Sequence, residues 1–217
     1  MKALCVFAHP DDEIIWGWPI IQDVTIERHL ITISDNRPGY NEAKTALQEV
    51  CDVSGVHLVE CLDYPSEYYR LPTRNAPLTL PMLADRVTAT IKKAIVDISP
   101  DFIFTHNPFG EYGHGDHRLI FNIICSFIEE KPIVFTDACQ SNKCHLSFDS
   151  IPSRIQDAYF NQFLGRYRLN LSWFDIRRLI YRKYNAWSWG EGHVVPDYLT
   201  LFGIDYESNH KELYEFE

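Results

Sequence analysis

Five short apolar runs alternate with stretches of helical periodicity, and this alternation constrains the fold more than any other feature. The runs are Ala3–Ala8, Leu30–Ser34, Leu58–Leu62, Phe102–Thr105 and Ile133–Thr136. Each is brief and rich in apolar or β-branched residues, as strands covered on both faces require. Between them, Glu42–Val53 places Ala43, Ala46, Leu47 and Val50 on one side of a helix. Pro81–Ile98 does the same with Leu83, Val87, Ile91, Ala94, Ile95 and Ile98, and Pro100 stops it. Asp116–Ile128 repeats the pattern with Leu119, Ile120, Ile123, Ile124, Phe127 and Ile128. Strands alternating with helices predict an α/β fold, a Rossmann-like three-layer sandwich with a mainly parallel sheet of about five strands. Such sheets bind ligands beyond the C-terminal ends of their strands. His9 falls just past the first predicted strand, and His106 and Asn107 fall just past the fourth.

The alternation fades after Thr136. The chain of 217 residues, 46% apolar, is expected to form one domain over 1–217. Residues 1–136 make its α/β core, and residues 137–217 a mostly helical or irregular C-terminal elaboration that shapes the substrate pocket. A net charge of −10 argues against nucleic acid as a partner, because such binding needs a basic surface to replace counterions. The apolar stretch Ile14–Ile21 is far short of the ~20 residues that span a bilayer. Ala3–Ala8 is too brief for a signal-peptide core, so a cytoplasmic location is expected. Cys5, Cys51, Cys61 and Cys125 sit within apolar patterns as small core residues. Cys139, Cys144 and His145 lie close together, but the spacing matches no common zinc module and free loop thiols are expected.

Two stretches carry chemistry. The first strand runs into His9-Pro10-Asp11-Asp12-Glu13, where acids are crowded side by side. Pro10 keeps His9 extended, and the acids turn into the following helix. Adjacent side chains in such a turn diverge, so one carboxylate can ligate a metal while its neighbour stays free. Acids at a helix N-terminus are also favoured by the helix dipole, but that leaves His9 unexplained. The second stretch, Asn107–Arg118, holds His114, Asp116 and His117 among three glycines, with Asp116 suited to cap the next helix. Both stretches follow strands at the same predicted edge of the sheet. Two histidines and one aspartate with a vacancy for water form the catalytic arrangement for zinc, and spare acids and a spare histidine remain for proton transfer.

Ala8-His9-Pro10-Asp11-Asp12-Glu13 after the first strand, with Gly113-His114-Gly115-Asp116-His117 after the fourth, resembles the LmbE/PIG-L family of zinc-dependent deacetylases. That family removes acetyl groups from N-acetylglucosamine units in conjugates. The resemblance covers Met1 to about Pro132 well and the remainder loosely. It implies zinc ligands at His9, Asp12 and His117 and a general base at Asp11. It implies that His114 stabilises the oxyanion or protonates the leaving amine, that Asp116 orients His114, and that Tyr112 helps to polarise the carbonyl. Two departures stand out. Thr32-Ile33-Ser34 lacks the glycine of the family's Thr-x-Gly turn, and Gly115 replaces a frequent proline.

The implied function is a metal-dependent hydrolase: zinc-bound water attacks the amide of an N-acetylglucosamine-type amino sugar and releases acetate. Fe2+, Co2+ or Mn2+ could serve such ligands in place of Zn2+. An amidase for another N-acyl amine, such as a glycopeptide or thiol conjugate, and a non-catalytic metal-binding protein are the alternatives. A nucleotide-binding Rossmann protein is disfavoured, because acids replace the glycine-rich loop. No G-x-S-x-G elbow points to a serine hydrolase. Candidate substrate contacts are Arg70 and Arg74 in the tyrosine-rich loop 63–79, Asn107, and Trp187 and His193 in the aromatic run 184–193. Residues 168–184 predict a basic helix with Leu169, Trp173, Ile176, Leu179 and Ile180 at helical spacing. It suits peripheral contact with a membrane or a nucleotide- or diphosphate-linked sugar, or packing on its own core. Self-association into a homo-oligomer is compatible with the sequence.

Overall fold

The structure, a computed structural model, describes residues 1–33, 40–62, 80–127, 130–138, 163–189 and 194–204. Seven strands among them form one sheet: β1 (Lys2–Phe7), β2 (Glu27–Thr32), β3 (His57–Cys61), β4 (Phe102–Thr105), β5 (Ile133–Thr136), β6 (Phe163–Arg168) and β7 (Tyr198–Ile204). Their order is β3-β2-β1-β4-β5-β7-β6. The first five pair in parallel, as the alternation predicts. β7 then pairs antiparallel with both β5 and β6. The C-terminal part was expected to be helical or irregular, and it instead extends the sheet by two strands. Its tail beyond Ile204 lies outside the described residues.

The helices are α1 (Asp12–Ile15), α2 (Trp18–Ile21), α3 (Tyr40–Ser54), α4 (Leu80–Ile98), α5 (Gly110–Gly113), α6 (Gly115–Ile124) and α7 (Leu171–Lys183). The period of two in β1 sorts its side chains cleanly. Leu4, Val6 and Ala8 join Val87, Ile91 and Ile95 of α4 and Ile120, Phe121 and Ile124 of α6 on one face. Ala3, Cys5 and Phe7 join Ile20 and Ile21 of α2 and Leu47 and Cys51 of α3 on the other. Burying each such aliphatic side chain contributes about 1.5–3 kcal/mol. A third cluster packs Trp16 and Trp18 against Ala46, Val50, Phe174, Ile180 and Tyr181, and so fastens α7 to the start of the chain.

Two buried arginines, Arg28 and Arg177, have helix ends as partners. Arg28 donates to Ile21 O at 2.7 Å and Gly55 O at 3.2 Å, and Arg177 to Ser54 Oγ at 2.9 Å and Val53 O at 3.0 Å. The carbonyls that end α2 and α3 are thus met by cations, which suits the negative end of the helix dipole.

This arrangement corrects the expected face of α7. Its buried residues are Phe174, Arg177, Ile180 and Tyr181, whereas Ile176 and Leu179 are exposed. Arg177 displaces the apolar stripe because its guanidinium reaches the end of α3. Two further basic residues are paired on the surface, Arg178 with Asp175 at 2.7 Å and Lys183 with Glu49 at 2.8 Å. Among the described residues no helix is long and apolar enough to cross a membrane.

Candidate active site

The strand order reverses between β1 and β4, which makes the carboxyl ends of these neighbours the ligand crevice of the sheet. The two chemistry-bearing stretches leave the sheet there. Three ligand-type atoms converge: His9 Nδ1 is 3.2 Å from Asp12 Oδ2, His117 Nε2 is 3.4 Å from the same oxygen, and His117 Nε2 is 3.3 Å from His9 Nδ1. Nitrogen and oxygen ligands about 2.0–2.1 Å from a tetrahedral divalent cation lie roughly 3.3–3.4 Å apart. The donor set and its spacing therefore fit such a cation. Asp12 is buried, yet its carboxyl is held well below the usual range: burial opposes ionisation, and the surrounding imidazoles of His117, His106 and His9 outweigh it.

The imidazoles are held from behind. Glu111 Oε2 accepts from His117 Nδ1 at 2.6 Å and His106 Nδ1 at 3.1 Å, while Oε1 accepts from Asn107 N at 3.0 Å. Burial would raise the Glu111 carboxyl, but the electrostatic pull of His106 and the imidazole hydrogen bonds bring it down to about 2. With Nδ1 donating to Glu111, the Nε2 lone pair of His117 faces Asp12. The His106 ring stacks on His117, 3.8 Å between centroids, and its Nε2 accepts the Ala8 N–H at 2.8 Å. That bond requires the Nε2 lone pair, so the Nδ1 proton is the one that faces Glu111. His106 also forms a candidate ligand group with Asp12 and His117.

Asp116 lies elsewhere than expected. Its Oδ2 is 2.9 Å from His9 Nε2 but 3.9 Å from His114 Nδ1. Nor does it cap α6: His114 occupies the N-cap, and its Nδ1 accepts the Asp116 N–H at 3.2 Å. The carboxylate thus orients His9, and the backbone orients His114. Burial, followed by the neighbouring imidazoles of His117 and His9, pushes the His114 pKa down to about 3, so this imidazole is neutral at pH 7. It is the more open histidine, with 29% of its side chain exposed.

Asp11 adopts a left-handed conformation, φ 97° and ψ −23°, which costs an aspartate about 1–3 kcal/mol. Several bonds hold it there. Its N–H donates to Tyr181 Oη and Glu13 Oε2, both at 2.9 Å, and its carbonyl accepts from Ile14 and Ile15. Tyr181 in turn donates to Glu13 Oε1 at 2.7 Å. Burial, only partly offset by the Tyr181 hydrogen bond, raises the Glu13 carboxyl to about 8. The Asp11 carboxylate accepts from the Ser188 hydroxyl and, at 3.3 Å, from the Ser188 N–H.

Tyr112 stands over the centre with its ring 5.4 Å from those of His117 and Trp189 and 5.5 Å from that of His114. Trp187 packs on Phe174 and Tyr181, and with Trp189, Arg178 and Arg182 it lines a cavity of about 350 Å³. Asn107, expected to touch substrate, is wholly buried. Its amide donates to Thr136 O and Ala138 O and accepts from Phe109 and Glu111 N–H groups, so it pins the loop after β4 to the end of β5. Arg70, Arg74 and His193 lie outside the described residues, as do Cys139, Cys144 and His145. Glu111, Tyr181 and Ser188 carry no sequence signal for the site, and His106, placed at the sheet edge by the sequence, was given no role there.

Residues 4–128 match the family model PIG-L, described as GlcNAc-PI de-N-acetylase. The chain belongs to the PIG-L family. No curated protein matches it by sequence. Among solved structures, a deacetylase of teicoplanin biosynthesis, in complex with teicoplanin, superposes with a TM-score of 0.63 at 10% identity, over 94% of this chain and 98% of that one. A zinc-inhibited form of teicoplanin deacetylase gives 0.64 at 12%, over 94% and 97%. The N,N'-diacetylchitobiose deacetylase of Pyrococcus horikoshii gives 0.55 at 14%, over 88% and 71%. At these identities the likeness is one of fold. The PIG-L chain thus shares its fold with deacetylases over most of its length.

Proposed function

We propose that this PIG-L family member is a metal-dependent N-deacetylase acting on an N-acetylglucosamine-type amino sugar within a conjugate. The observation that carries the reading is the convergence of His9 Nδ1, Asp12 Oδ2 and His117 Nε2 to within 3.4 Å of one another. A divalent cation held by these three groups would supply Lewis acidity and bring a water toward a pKa of ~7. Asp11 takes the proton of the attacking water at its carboxylate as oxygen adds to the acyl carbon. Tyr112 and His114 face the acyl oxygen and steady the charge that develops there. The C–N bond then breaks, the proton held at Asp11 passes to the departing nitrogen, directly or through His114, and acetate and a free amine leave. Glu111 and Asp116 keep the ring nitrogens aimed, and Trp16, Tyr112 and Trp189 form an apolar wall that excludes bulk water.

The test is a panel of N-acetylglucosamine conjugates, including sugar nucleotides and lipid-linked diphosphate sugars, assayed for acetate and primary amine. The zinc-loaded protein should contain about one ion per chain and release both products from at least one conjugate. Asp11→Asn should retain the ion and lose about 100-fold or more in kcat. A loaded protein that is silent on every sugar but cleaves another N-acyl amine would shift the substrate to the amidase alternative.

A further inference from the structure

We propose that Ser188, in the C-terminal part beyond the region matched to the family, is a positioning residue for the Asp11 carboxylate. The inference rests on the assignment of Asp11 as the base. Ser188 presents both its hydroxyl and its backbone N–H to one carboxylate oxygen, Oδ2. Two donors on one oxygen restrict the rotation of the carboxylate. The donors are themselves clamped. Trp187 on one side packs its ring 6.1 Å from Phe174 and 6.3 Å from Tyr181. Trp189 on the other packs 5.2 Å from Trp16 and 5.4 Å from Tyr112. The run Trp187-Ser188-Trp189 thus anchors to α7 behind the site and to the aromatic wall in front, with the serine between them. The backbone of Asp11 is fixed independently, by Tyr181 and Glu13. Ser188 therefore bears on where the carboxylate points and not on whether the turn forms.

Ser188 is exposed, so truncating it leaves no buried cavity. Zinc-loaded wild type, Ser188→Ala, Ser188→Thr and Asp11→Asn are compared on p-nitrophenyl N-acetyl-β-glucosaminide and on the best conjugate of the panel. Ser188→Ala is expected to lose about tenfold in kcat with KM and zinc content changed by less than roughly twofold, and Ser188→Thr, which keeps the hydroxyl, to recover most of that loss. Crystals of the zinc-loaded Ser188→Ala protein are expected to show the Asp11 carboxylate rotated or split between two orientations. This second readout decides the matter even where turnover is undetectable. An Asp11 carboxylate unmoved in the alanine variant overturns the proposal, as does an unchanged kcat alongside an inactive Asp11→Asn. A fully active Asp11→Asn would instead overturn the assignment of the base.

Discussion

The Glu111 carboxylate lies 2.6 Å from Nδ1 of His117 and so turns the opposite nitrogen of that ring toward Asp12. The same oxygen serves His106, and the other accepts the Asn107 N–H. Glu111→Gln would set an amide donor against one of these donors. Loss of such a partner typically weakens a metal site about 10–100-fold. Competition with a chromophoric chelator measures this directly, and an affinity equal to wild type would show that His117 needs no such support.

Metal loading should release protons. Burial disfavours charge on His9, but hydrogen bonds to Asp116 and Asp12 outweigh it and lift the pKa from 6.5 to about 10. In the metal-free protein the ring is therefore charged at pH 7, and a ligating nitrogen must shed its proton. Affinity should fall as pH falls, by about tenfold per unit for each proton displaced. The same proton stabilises the metal-free fold fully below pH 6.5, and that contribution fades as pH rises through about 10. Zinc titration in weak buffer should release about one proton per ion from His9, and an affinity flat between about pH 6 and 8 would contradict the assignment.

Tyr181→Phe removes one hydroxyl that both donates to Glu13 and accepts from Asp11. Both partners are buried, so the loss should cost about 1–3 kcal/mol in denaturant unfolding. It should also slow turnover, because the left-handed Asp11 loses one of its two N–H acceptors. A change below about 0.5 kcal/mol would mean that the turn holds itself.

Gly17 separates α1 from α2 under the first strand. A Cβ there would lie 2.7 Å from the Phe7 ring and 2.8 Å from the Glu13 carbonyl oxygen. The ring can shift, but the backbone carbonyl cannot without moving α1. Gly17→Ala should therefore cost about 1–3 kcal/mol of stability. Thermal unfolding at matched zinc would reveal it, and an unchanged midpoint would show that α1 gives way freely.

The parallel half of the sheet was legible because β1, β4 and β5 are short apolar runs with clear helical periods between them; β2 showed only through Leu30 and Ile31, and it begins three residues earlier than expected, at Glu27. The stretches after β1 and β4 could be brought together because both follow strands at the carboxyl edge of a parallel sheet. β6 was not legible: the stretch FLGRYR is an edge strand whose burial alternates weakly, with Phe163 exposed. The buried face of α7 was misread because a hydrophobicity pattern does not anticipate an arginine that reaches a helix end. Within the site, the grouping of His9, Asp12 and His117 was what the resemblance to the family implied. Glu111 was not legible, since an acid in a glycine-rich loop shows no period, and its left-handed φ of 57° has no sequence signature. Asn107 and Asp116 were singled out as residues, but their partners depend on loop geometry that residue type does not fix.

The antiparallel pairing of β7 with β5 has a consequence for engineering. Cutting the chain after Thr136 would strip the β5 edge of its ladder and at the same stroke remove Tyr181 and Ser188 from Asp11. Hybrids that graft the tail of one relative onto the front of another should therefore fail or succeed as a matched set, since the segment least like the family braces the motif most like it.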